Sequence, residues 1–82
     1  MDTNYLTDID LSVLGAAPEV YQNYTVAIRK EYSIYPGFLY KRGRKKVLKH
    51  FLEMEHIFKT ELFREKYEDR ARKNLQAELN SL

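Results

Sequence analysis

An all-α fold is predicted for this 82-residue chain by three observations. Apolar residues recur at three- and four-residue spacing over most of the length, strict strand-like alternation is essentially absent, and Gly15, Pro18 and Pro36-Gly37 fall between the periodic stretches. The expectation is one domain over residues 1–82, a short first helix followed by three longer amphipathic ones, with no repeat, low-complexity tract or second domain. A chain of this size buries a little over about 60% of the surface its unfolded form exposes, so a monomer would be marginally stable. Seven Tyr and four Phe supply most of the bulky core material.

The first helical stretch is TDIDLSVLG, Thr7 to Gly15. At 100° per residue, Leu6, Ile9 and Val13 share one side, Leu11 and Leu14 widen it, and Asp10 falls within that sector while Asp8 points almost the opposite way. A carboxylate on an apolar face must be neutralised, hydrogen-bonded or bound to a metal, because leaving it ionised and unpaired costs several kcal/mol or more. A plainer reading of the same residues is a capping box from Thr7 to Asp10, with Gly15 closing the segment in a left-handed conformation.

The second helix is expected to begin at Pro18, whose missing N–H is not needed at a first helical position, and to end before Pro36. Val20 or Tyr21, Tyr24, Ala27 with Ile28, Tyr32 and Tyr35 form its stripe. The third helix is expected from about Phe38 to Leu52, with Leu39 or Tyr40, Gly43, Val47, Leu48, Phe51 and Leu52 inward. A mid-helix glycine costs about 1 kcal/mol relative to alanine, so Gly43 suggests a close neighbouring helix, the tyrosines of the second being the obvious candidates. Glu53 to Lys59 reads as a connection with Ile57 and Phe58 tucked beneath it. Thr60 is the expected N-cap of the last helix, and Glu61 suits its dipole. Phe63, Tyr67, Ala71, Leu75 and Leu79 run down one side of that helix, with Leu62 and Leu82 at its ends, while Glu68 with Arg72 and Asp69 with Lys73 make acid-before-base pairs on the opposite, solvent-facing side.

Composition narrows the function. There is no Cys, hence no thiolate metal site, and no secretory or membrane segment, which makes a cytoplasmic protein the default. Net charge is +2, and the basic cluster Lys41, Arg42, Arg44, Lys45, Lys46, Lys49 spreads around a helix instead of converging on one face, which argues against nucleic acid. His50 and His56 lie six residues apart across a helix end, not at a ligand spacing.

The strings DIDLSVLG, AIRKEY, LYKRGRKKVLKHFL, IFKT and ARKNLQAEL, in that order from about Tyr5 to Leu82, resemble the C-terminal part of a bacterial family of metal-dependent phosphohydrolases in the HD superfamily. The resemblance implies a helical hydrolase in which His, a His-Asp pair and a later Asp hold divalent metal (Mn, Mg, Fe or Zn), generating hydroxide that attacks a phosphorylated small molecule. Asp10-Leu11-Ser12 is similar to the Asp-Leu-Ser at that ligand in related cyclic-nucleotide phosphodiesterases, so Asp10 is preferred over Asp8. Arg29 and Arg44 are implied as phosphate-facing or supporting residues. No His-Asp dipeptide occurs in the chain. The expected role is therefore to supply one ligand while being inactive alone, with a missing N-terminal HD segment or a second copy as partner. The alternative is a small helical interaction module without catalysis.

Overall fold

Pro18 and Pro36-Gly37 set two of the helix starts in the computed structural model of the chain, which describes residues 3–82, with side chains from Leu6 onward. Helix α1 (Thr3–Leu11) tightens into a 3₁₀ turn (Ser12–Gly15). Helix α2 (Pro18–Glu31) starts on its proline, and α3 (Gly37–Glu53) follows the Pro36 break. Helix α4 (residues 61–81) is continuous but contains a π-turn at Arg64–Glu68 between α-helical segments Glu61–Phe63 and Asp69–Ser81. The described residues contain no strand, and no helix among them is long and apolar enough to cross a membrane. The all-α class and the four-helix order hold.

The core forms where α4 crosses the 3₁₀ turn and α3. Leu14, Tyr21, Leu48, Ile57, Phe58, Ala71 and Leu75 are its buried members. Ile57 and Phe58 of the connection are fully buried as expected, and the Phe58 ring lies 6.1 Å from Phe63 and 5.9 Å from Tyr67 of α4, within the range of favourable tilted aromatic pairs.

Gly15 is needed for closeness, not for a left-handed cap. No described residue has positive φ, yet a Cβ on Gly15 would stand 2.6 Å from Tyr67 Cβ and 2.9 Å from the Tyr67 carbonyl oxygen. The 3₁₀ turn therefore packs directly on the backbone of α4. Gly15→Ala is expected to destabilise the fold by about 1–3 kcal/mol, because the obstructing atoms cannot rotate away, and thermal unfolding measures it.

Several expectations about faces need correction. Helix α1 already runs from Thr3, so Thr7 lies within it and does not open a capping box. Leu6 and Ile9 face solvent. Helix α2 stops at Glu31, so Tyr32 and Tyr35 leave its stripe and are half exposed in the turn that follows. Leu39, Val47 and Leu62 are exposed as well. Nothing lies within 4 Å of a Cβ placed on Gly43, so no helix passes close there. For Leu39, Val47 and Gly43 the cause is that α3 packs chiefly on α4, and α2 on the 3₁₀ turn.

Candidate functional site

Ionised side chains surround the connection 54–60, an irregular segment in which Met54 N–H bonds back to Phe51 O and Thr60 C=O accepts from Arg64 N–H while its other backbone groups lie outside the helical ladders. Buried backbone polar groups must be paired, and four side chains pair these. Asp8, fully buried, accepts from Lys59 N–H (2.8 Å), Thr60 N–H (2.8 Å) and the Thr60 hydroxyl (2.6 Å). Glu68 accepts from Ile57 N–H at both carboxylate oxygens (2.9 and 3.1 Å) and from Phe58 N–H (3.1 Å).

Two guanidinium groups take the carbonyls. Arg64 donates to the Phe58 and Lys59 oxygens (2.8 and 2.9 Å). Arg72 donates to those of Leu52, Met54 and Glu55 and pairs with Glu68 at 3.1 Å. Carboxylates thus collect the donors of the connection, arginines collect its acceptors, and the four charges cancel.

Asp8 also corrects two expectations. Thr60 does occupy the N-cap position of α4, but its hydroxyl donates to Asp8 instead of accepting from the helix, so Asp8 holds the entry to α4 from a distant part of the chain. Asp8, and not Asp10, is the buried carboxylate of α1. Burial pushes the Asp8 carboxyl up, but the hydrogen bonds from Thr60 Oγ1 and from the Lys59 and Thr60 N–H groups, with the charge of Arg64, outweigh it and leave the group below its ordinary value. Asp10 is exposed and makes no side-chain hydrogen bond or ion pair among the described residues. Val13 and Leu14 lie in the 3₁₀ turn and so leave the 100° wheel that assigned Asp10 inward, while the bonds from Lys59 and Thr60 hold Asp8 toward the connection.

Glu68 and Arg72 were expected on the solvent face of the last helix. Glu68 is buried, because the π-turn that contains it adds a residue to one turn and rotates the positions it spans.

A second polar cluster joins α2, α3 and α4. Arg44 grips Glu78 through Nε (2.6 Å) and Nη2 (2.9 Å), with both side chains less than a tenth exposed, and the Tyr21 hydroxyl donates to the same carboxylate. Burial, then the hydrogen bond and charge of Glu78, raise the Tyr21 phenol far above its ordinary range, so it remains a donor at any physiological pH. Arg44 is thereby committed to α4, not to a carboxylate of α1. Arg29 donates to the Tyr32 carbonyl (3.1 Å), where it closes the end of α2, and lies 4.7 Å above the Tyr40 ring. The two arginines thus have partners separate from those of Asp8, and neither is bonded to Asp10.

Glu78 and Asn74 are the participants that spacing by fours passes over. Asn74, buried, donates to the Leu14 and Ala16 carbonyls at 2.9 Å and so fixes the end of the 3₁₀ turn. Adding the three-residue steps to Ala71, Leu75 and Leu79 would have placed both on the inward face. No three His, Cys, Asp or Glu side chains gather as a metal-binding group among the described residues. No protein-family model, curated protein or solved structure matches this chain.

Proposed function

We propose that the chain serves as the C-terminal helical part of a metal-dependent phosphohydrolase of the HD type, presenting Asp10 as one ligand of a divalent ion completed by another polypeptide segment, and that it is inactive alone. The contrast between the two aspartates carries this reading. All of Asp8's bonding is spent inside the domain, so ligating a metal would strip three hydrogen bonds from the connection. Asp10 has both oxygens available on α1 beside Leu6 and Ile9, which are 46% and 53% exposed. A carboxylate with spare acceptors among uncovered apolar side chains suits a ligand at a seam that another segment covers.

The residues present do not make a metal site by themselves, since one exposed carboxylate falls short of the three or more ligands a catalytic ion takes from protein. Of the two arginines, Arg29 fits a phosphate-facing role better, because most of its five N–H donors have no hydrogen-bond partner among the described residues while Arg44 is held by Glu78.

Purified chain incubated with Mn²⁺ and p-nitrophenyl phosphate is expected to show no turnover; hydrolysis abolished by chelator would contradict the claim of inactivity. Sequencing the coding DNA upstream of the Met1 codon tests the rest. An in-frame stretch encoding His and His-Asp motifs is expected, and a stop codon directly upstream would count against the reading. A second reading, a helical interaction module, is favoured by the open apolar groove between α2 and α3.

A further inference from the structure

We propose that the groove between α2 and α3 is the docking site for an acidic amphipathic helix of a partner protein. The groove, about 640 Å³, lies between α2, which packs chiefly on the 3₁₀ turn, and α3, which packs on α4. Tyr24 and Ile28 of α2, with Tyr32 from the turn beyond it, form one wall, and Leu39, Gly43 and Val47 of α3 form the other at four-residue steps. No α1 residue from Leu6 to Leu11 lines it, so the inference does not depend on the role of Asp10.

Three features select a helix. Ridges at four-residue spacing on both walls leave a trough into which the ridge of a third helix can seat, in the helix-in-groove mode of recognition. Gly43 stands at the middle of its wall with open space where a side chain would be, which lets a partner backbone come near. The uncovered side chains are of interface type, with Tyr32, Tyr35, Leu39 and Val47 each between 42% and 50% exposed.

Charge selects an acidic one. Of the six basic residues in α3 only Arg44 has a carboxylate partner; Lys41, Arg42, Lys45, Lys46 and Lys49 make no ion pair among the described residues. Arg42 and Lys46 are exposed and, by helical geometry, border Gly43 on the solvent side of its wall. Glu31 is the one acid that lines the groove. The α3 border of the apolar trough is therefore cationic, against the single carboxylate of Glu31 on the other side, and complements a helix with leucines on one face and carboxylates along the edge that meets α3.

The test uses a fluorescein-labelled synthetic helix with Leu at i, i+3, i+4 and i+7 and Glu at its flanking positions, a counterpart carrying Lys for Glu, and the 82-residue chain. Saturable anisotropy change with the acidic peptide is expected, weakened by added salt, with no saturable binding of the basic peptide. Gly43→Leu fills the trough and is expected to weaken binding by about tenfold or more. Its melting temperature should equal or exceed that of the parent, because a mid-helix glycine is replaced where space is open, so lost binding is not lost fold. Arg42→Glu combined with Lys46→Glu is expected to weaken the acidic peptide in the same way. No saturable binding, equal binding of the two peptides, or binding unchanged in Gly43→Leu would overturn the proposal. Displacement of the peptide by single-stranded RNA would assign the surface to nucleic acid and overturn it equally.

Discussion

Replacing Glu78 by Ala is expected to destabilise the domain by about 3–5 kcal/mol, because it leaves the Arg44 guanidinium nearly buried without its counter-ion. The Tyr21 hydroxyl, on a side chain 5% exposed, loses its acceptor in the same step. Burial alone would lower the Arg44 pKa and disfavour its charge; the hydrogen bonds and charge of Glu78 reverse that balance. Domains of this length have total stabilities of roughly 4–12 kcal/mol, so the variant should be largely unfolded at mild denaturant concentrations. Urea unfolding followed by circular dichroism measures the loss. Arg44→Leu combined with Glu78→Leu is expected to recover most of it, since an apolar pair of similar volume removes the stranded charge. A Glu78→Ala variant as stable as the parent would show that the cluster is not a structural joint.

Asp8→Ala is expected to cost about 2–4 kcal/mol, as two backbone N–H groups and a hydroxyl at the entry to α4 lose a charged acceptor. The same bonds give a pH dependence whose sign is fixed. The folded-state pKa of Asp8 lies below its unfolded value, so ionised Asp8 stabilises the domain fully above the unfolded value, about pH 4, and that contribution disappears as pH falls through the lower, folded value. Acid unfolding of the parent is therefore expected to steepen below about pH 4, with Asp8→Asn showing a shallower acid limb from a lower plateau. Parallel acid limbs in the two proteins would remove Asp8 from the account.

What the sequence made legible was local, and what it hid was contact between distant segments. Pro18 and Pro36 mark the start of α2 and the break before α3 because proline acts on its own backbone and on the residue before it. Ile57 and Phe58, an apolar pair in a polar connection, announce their own burial. The rotation of α1 could not be read in this way. Its determinant is the pairing of Asp8 with N–H groups 51 and 52 residues along the chain, and a helical wheel contains no term for donors supplied by a remote irregular segment. Glu68 was misplaced because no sequence signal announced the π-turn that carries it inward. Gly43 shows the opposite error, since a helix interior glycine usually marks a close approach and here borders an open groove.

The central claim is that Asp8 is spent on holding the 54–60 connection while Asp10 is left available. Amide hydrogen exchange at Lys59 and Thr60, compared among the parent, Asp8→Asn and Asp10→Asn, tests it most directly. Protection of both amides is expected to fall sharply in Asp8→Asn and to match the parent in Asp10→Asn. Protection that survives in Asp8→Asn, or is lost in Asp10→Asn, would contradict this division of roles and with it the proposal that Asp10 is the spare ligand.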